Sequence, residues 1–370
     1  MSALATLAGA RLAAALWRTP QRGRPLKVTA VLTERCHLRC DFCRLWESPN
    51  AGVPTATWIE FFRANPFLRW VNLTGGELFA KERLDELLDG IVAALPRLDL
   101  LDFPTAGQLP DVTVATVQRL LATRLPRLAV TVSLDGGPEL HDSLRGMPGA
   151  FERAFETFAR LRALRAAAHG RLTLVAGCTL TDRAEEQERT LAAELARRLP
   201  DFRPGELHFN LAHVSPHYYR NAAEGAAAGL RASDGALAVL RRRGAARGAL
   251  GWIERQYARL APRALRDGHP PMGCDALART VFVGPDLTVH PCTIWERPLG
   301  NLADFGLSLE RLLARAEVDA ARAQIVARRC PGCFSPCEAV PAMVAHPWRT
   351  MFMRAGTRAR TRAQPAGAAP

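Results

Sequence analysis

Lysine is almost missing from this 370-residue chain: only Lys27 and Lys81 occur, beside abundant arginine and alanine. The net charge of +13 therefore reflects a bias towards Arg, spread over many helix surfaces. It is not the concentrated basic face that grips nucleic acid. Aromatic residues make up 7%, which leaves few stacking platforms for bases. No run of about 18 uninterrupted apolar residues is present, so no membrane-spanning helix is expected. The opening MSALATLAGARLAAALWR lacks a basic n-region, and Arg11 interrupts its apolar run. It is read as a short amphipathic helix rather than a signal peptide, packed on the body of the protein or giving a weak foothold on a membrane surface. With no export signal, a cytoplasmic location is expected. Thiols there stay reduced, which argues against a disulfide framework.

What is present is a set of nine cysteines: Cys36, Cys40, Cys43, Cys178, Cys274, Cys292, Cys330, Cys333 and Cys337. Eight of them form two groups. Grouped thiols in a reducing compartment point to metal.

From about residue 26 to 215 strand-like and helix-like segments alternate. Strands are expected at 27–33, 70–74, 98–103, 128–134, 171–180 and 206–214. Helices are expected at 57–65, 81–95, 114–124, 151–168 and 183–199. This alternation predicts a parallel sheet, and six units suit an open barrel or a doubly wound sheet better than a closed eight-fold barrel. In either case the ligand site lies at the carboxyl ends of the strands. The unusual residues fall there. The first cysteine group follows strand one, Gly75-Gly76-Glu77 follows strand two, and Thr105-Ala106-Gly107 follows strand three. Ser133 and Asp135 close strand four. The expected division is an N-terminal amphipathic helix (1–25), the barrel core (26–215), a helical connector (216–272), a second cysteine domain with a hairpin at 280–292 (273–345), and a basic, disordered tail (346–370).

In LTERCHLRCDFCRLW three thiols at i, i+4 and i+7 share one short loop. A closed structural zinc site wants four ligands. Three suit a four-iron cluster with one iron open. This Cx3Cx2C loop, with Phe42 before the last cysteine, resembles the radical S-adenosylmethionine superfamily. The resemblance implies an α/β fold with a partial (β/α)6 TIM-like barrel. It also implies a four-iron cluster on Cys36, Cys40 and Cys43 that binds S-adenosylmethionine. Reductive cleavage would then give a 5′-deoxyadenosyl radical that takes a hydrogen atom from substrate. By the same resemblance Phe42, Gly75, Gly76, Glu77, Ser133, Asp135 and Arg145 bind the cofactor, with Glu77 near its amino group and Arg145 pairing with a carboxylate. The SLDG and HDSLRG tracts (133–136, 141–146) are similar to those of the subgroup with auxiliary clusters.

Cys274, Cys292, Cys330, Cys333 and Cys337 resemble SPASM and twitch domains. Five cysteines are fewer than the seven of a full SPASM domain, so one auxiliary four-iron cluster is expected. Cys274, Cys292, Cys330 and Cys333 are its simplest ligands, with Cys337 an alternative ligand or free. Zinc is the competing reading of both groups, and a zinc-stabilised basic nucleic-acid-binding protein the competing function. That reading leaves GGE, SLDG and the three-cysteine loop unexplained. Expected partners are a peptide or small-molecule substrate and an electron donor such as flavodoxin or ferredoxin. Cys178 is a buried hydrophobe or a thiol hydrogen donor to a substrate radical. His208, Asn210 and His213 are expected on one face towards substrate, with Tyr218 and Tyr219 closing the pocket.

Overall fold

The computed structural model describes residues 3–47, 49–222, 229–230, 233–242 and 248–353. Six strands run parallel: β1 (Lys27–Thr33), β2 (Trp70–Gly75), β3 (Leu100–Thr105), β4 (Leu128–Ser133), β5 (Leu172–Leu180) and β6 (Leu207–Leu211). Two short strands, β7 (His213–Val214) and β8 (Gly229–Leu230), pair separately. A last set, β9 (Thr280–Val283), β10 (Thr288–His290) and β11 (Gly300–Asn301), extends the main sheet to the order β11-β10-β9-β1-β2-β3-β4-β5-β6.

The strands alternate in chemistry. In β4, Leu128, Val130 and Val132 are buried, while Thr131 and Ser133 turn the other way. Successive strand residues face opposite sides, so one face becomes apolar and the other polar. The apolar face packs under helices. These are α2 (Thr55–Ala64), α3 (Leu84–Ala94), α4 (Pro110–Ala122), α6 (Ala150–Ala167) and α7 (Ala184–Arg198), while α1 (Ala3–Trp17) packs on Trp70 and Leu100 at the strands' amino ends and α5 (Pro138–Arg145) follows β4. In α2, Trp58, Phe61 and Phe62 are fully buried and pack edge-on at 5.6 and 5.0 Å. The polar face is concave and lines the chamber described below. The C-terminal part adds α8 (Asp234–Arg242), α9 (Gly248–Asp267), α10 (Leu309–Leu313), α11 (Ala316–Val326), α12 (Pro336–Ala345) and α13 (Pro347–Phe352).

Four features depart from the sequence reading. The sixth strand stops at Leu211, so His213 belongs to the small second sheet. Helix α5 was not expected, because its eight residues lie within the SLDG–HDSLRG motif region and are mostly polar. The 280–292 hairpin forms, but β9 pairs in parallel with β1 (Lys27↔Thr280 to Ala30↔Val283). Val281 and Val283 therefore share one core with Val28 and Ala30, and position 273 is not a structural break. Finally, α13 falls inside the segment expected to be disordered, while the expectation for 354–370 lies outside the described residues.

Candidate active site

The carboxyl ends of all six parallel strands surround a cavity of about 290 Å³. Cys36, Cys40, Cys43 and Phe42 border it, as do Gly75 and Gly76 after β2, Thr105 and Ala106 after β3, and Ser133 after β4. Deeper in, Asn72, Thr74, Asp102, Thr131, Gly177, Thr179, His208 and Asn210 line it.

The cysteine loop is held by its backbone. Arg39 N donates to Arg145 O at 3.0 Å, and Asp41 N to Leu144 O at 3.1 Å. This seats the loop on the end of α5, where Gly146 ends the helix at φ +62°. A Cβ at Gly146 would stand 2.5 Å from Arg39 O, so the RG turn needs glycine for close approach. Gly75 serves the same loop from the other side. Its φ is +144°, and a Cβ there would lie 2.1 Å from Thr33 O.

Burial pushes the Cys36 thiol up to about 11 and the Cys43 thiol up to about 12, and raises Cys40 as well. Thiols so placed stay neutral unless a cation draws the proton off, which a coordinating metal does. One positive group is close: Arg145 Nη1 donates to Cys40 Sγ at 3.7 Å and the guanidinium lies 5.3 Å from the centre of the Phe42 ring. Among the described residues no three His, Cys, Asp or Glu side chains gather tightly enough to hold one ion. A cube that takes one thiolate per corner iron asks for wider spacing than a single ion does. Soft donors, burial and an open cavity on one side fit a cluster with an accessible corner.

Two of the expected cofactor contacts are positioned differently. Glu77 does not line the cavity. Its carboxylate accepts from Ala106 N at 2.7 Å and Thr105 Oγ1 at 2.9 Å. It braces the β3 turn from below, and burial raises its pKa despite these bonds. Asp135 is likewise out of the cavity. It accepts from Thr179 N at 2.7 Å and pairs with Arg145 through Nε and Nη2. Burial opposes the Arg145 charge, but Asp135 and Cys40 outweigh it and keep the side chain firmly cationic. All three guanidinium nitrogens are thus engaged, Nε and Nη2 by Asp135 and Nη1 by Cys40, which leaves no free bidentate fork for a ligand carboxylate. Asp142 does not pair with Arg145; it accepts from Phe151 N at 2.8 Å and from Gly149 N. Phe42, Gly75, Gly76, Ser133 and Arg145 do reach the cavity.

Beside the loop, Tyr219 O accepts from Arg44 N at 2.8 Å, and Tyr218 shares a hydrogen bond of 2.6 Å with Thr74 Oγ1, its ring centre 4.6 Å from that of Tyr219. His208 is clamped between Glu254 (2.5 Å) and Asn210 (2.6 Å). His213 also lines the cavity, but Nδ1 contacts Leu211 O and Nε2 accepts from Phe334 N, so its role is to tie the second cysteine loop down. Asn72 donates to Asp102 at 2.5 Å, and burial raises the Asp102 pKa. Asn72, Thr74, Asp102, Thr131 and Thr179 were missed in the sequence. Their signal was a polar residue at every second position of otherwise apolar strands.

Cys178 does not face the cavity. Its neighbours Gly177 and Thr179 do, so alternation turns Cys178 into the apolar core, where it is fully buried near Gln187. The thiol-donor role is thereby overturned.

The second cysteine group divides. Cys274, Cys292, Cys330 and Cys333 border one small apolar cavity with Ile294, Trp295 and Ile325. Cys337 is not among them. It borders the large chamber, at the start of α12, beside Lys27 and Tyr218. Lys27 Nζ donates to Cys337 O at 2.6 Å. Of the two readings of Cys337, an alternative ligand or free, this placement favours the free one.

No family model matches the chain. Over 140 residues it is 32% identical to the antilisterial bacteriocin subtilosin biosynthesis protein AlbA of Bacillus subtilis, covering 36% of this chain and 30% of AlbA. It is 29% identical over 143 residues to the sporulation killing factor maturation protein SkfB of the same organism, covering 37% and 33%. A GTP 3′,8-cyclase of Sulfurimonas denitrificans is 31% identical over 109 residues, covering 27% and 32%. The matches span about a third of the length of these relatives. Among solved structures, native anSMEcpe with bound AdoMet superposes with a TM-score of 0.56 at 14% identity, over 88% of this chain and 98% of that one. That likeness shows the fold. Taken with the sequence relatives and a three-thiol loop seated at the mouth of a partial barrel, it supports a radical S-adenosylmethionine superfamily enzyme.

Proposed function

We propose that the Cys36, Cys40 and Cys43 thiolates hold a four-iron cluster, that S-adenosylmethionine binds its open iron, and that a peptide occupies the rest of the chamber. When bound and given one electron by an external donor, this pair would supply methionine and a 5′-deoxyadenosyl radical able to remove a hydrogen atom from substrate. The carrying observation is the convergence of three buried thiols, the Gly75–Gly76 edge and Ser133 on one cavity. The chain's own residues do the positioning. Gly75 and Gly76 offer backbone without side-chain bulk beside the loop. Arg145, fixed by Asp135, holds positive charge against Cys40 and offsets the anionic thiolates. Thr131, Thr179 and Asn210 present polar groups along the inner wall, the complement a peptide backbone needs, with His208 fixing the Asn210 amide. Tyr218 and Tyr219 line the chamber between the cysteine loop and Cys337 at the start of α12. The four thiols of that group are proposed to hold one auxiliary cluster.

The peptide reading draws on AlbA and SkfB, whose names describe bacteriocin biosynthesis and killing-factor maturation. The cyclase relative favours a nucleotide-sized metabolite as the second reading. The first test is anaerobic reconstitution with iron and sulfide, followed by dithionite and S-adenosylmethionine. Release of 5′-deoxyadenosine that disappears in Cys36→Ala, Cys40→Ala and Cys43→Ala variants is the expected result. Release that persists in the triple variant, or protein that binds zinc and no iron, overturns the assignment. Incubation with candidate peptides and with nucleotides, read by mass spectrometry, then separates the two substrate classes.

A further inference from the structure

Helix α1 is apolar on two faces. Ala5, Ala8, Leu12 and Leu16 are buried, the latter two against Trp70 and Ala345. Leu4, Leu7, Ala10, Ala14 and Trp17 recur on the other side and face solvent, Leu7 at 55% and Trp17 at 60% exposure. A helix that only packs on a domain surface carries polar residues there. The apolar surface continues onto α13. Trp17 Nε1 donates to Val344 O at 2.7 Å, which sets it at the α12–α13 junction. Past the same junction α13 exposes Trp348, Met351 and Phe352, 69%, 41% and 77%. Trp348 and Phe352 stack on each other at 6.1 Å instead of reaching the core.

The surroundings carry one sign of charge. No Asp or Glu occurs in residues 1–33 or 339–370. Arg18 and Arg349 are exposed and have no acidic partner among the described residues. Arg354, Arg358, Arg360 and Arg362 follow α13 directly in the sequence. The nearby exceptions are Arg11, Arg22 and Arg24, which are spent on Asp99, Asp319 and Glu310.

We infer that this face docks on an anionic lipid surface. Exposed tryptophan and phenylalanine suit the headgroup boundary, and flanking arginines without acids are drawn to anionic lipid. A second copy of the chain is disfavoured, because a two-fold interface would bring each arginine set against its own duplicate. Orientation agrees with function. The patch lies over the amino ends of β1–β3, where Leu12 and Leu16 meet Trp70, Leu26 and Leu100. That is the floor of the barrel, so the docked chain keeps its mouth towards the aqueous side.

The test uses the full chain and co-sedimentation with phosphatidylcholine vesicles, either pure or containing about a quarter phosphatidylglycerol. Binding is expected only with the anionic lipid, weakening as salt rises. The triple variant Leu7→Ser, Trp348→Ser, Phe352→Ser should lose about tenfold or more in vesicle affinity, while its circular dichroism stays that of the parent. Equal binding by the triple variant overturns the inference, since the overall +13 charge would then suffice. So does a chain that stays in the supernatant with both vesicles, or one whose apolar face is instead covered in a concentration-dependent dimer seen by light scattering.

Discussion

Arg145 reaches Cys40 Sγ with Nη1 at 3.7 Å while Asp135 grips the same guanidinium from behind. A cation buried beside thiolates is tolerable only because a second anion shares it. Replacing Asp135 with Ala removes the partner of a buried charge and should cost about 3–5 kcal/mol of stability. Urea titration of the metal-free chain measures this. Asp135→Asn should cost less, since its amide oxygen keeps an acceptor for Thr179 N even though the guanidinium loses its carboxylate partner.

His141 gives a pH signature. Burial lowers its pKa to about 4, with Nδ1 accepting from Asp135 N. Because the folded value lies below the unfolded one, the native state binds fewer protons, and its stability falls as pH drops from about 6.5 towards 4. The His141 contribution to that loss is about 2 kcal/mol between pH 7 and pH 5. His141→Phe should flatten the dependence by this amount in denaturant titrations. An unchanged slope would contradict it.

The division of the second cysteine group predicts iron counts. Reconstituted parent chain should hold about eight irons, and Cys333→Ala about four. Cys337→Ala should keep the parent's iron and its absorption spectrum, because that residue borders the other cavity. Loss of iron in Cys337→Ala would restore it to the ligand set.

Gly146→Ala should damage the first cluster without touching its ligands. The added Cβ collides with Arg39 O and sits at a positive φ, a combination worth about 1–3 kcal/mol of strain. Retained auxiliary iron with reduced iron at the first loop is the expected pattern. Cys178→Ala, by contrast, should leave 5′-deoxyadenosine release intact and cost about 1 kcal/mol of core packing.

The barrel was legible because its strands are apolar runs bounded by turn residues and its helices carry clear periodicity. The cysteine loop and GGE were legible because both follow a strand end, where α/β proteins place ligands. Side-chain direction was harder to read. Glu77 and Asp135 sit at the right chain positions, yet each carboxylate turns to unpaired backbone amides nearby, Ala106 N and Thr179 N, that the sequence does not announce. Cys178 was legible in principle, since strand alternation with Gly177 and Thr179 decides its side. A strict period of two would turn His213 away from His208 and Asn210; it borders the chamber with them because the strand ends at Leu211 and the alternation is broken there. Helix α5 was hidden inside a motif whose conspicuous residues drew a loop reading.

The parallel pairing of Lys27 with Thr280 has a consequence for biogenesis. During translation the first strand emerges early, but one of its two flanking partners is among the last to leave the ribosome. Until then its inner edge, with Val28 and Ala30, is uncovered and open to wrong pairing. A chain stopped at residue 272 would keep that defect permanently, so the catalytic half should not be obtainable as a separately soluble fragment.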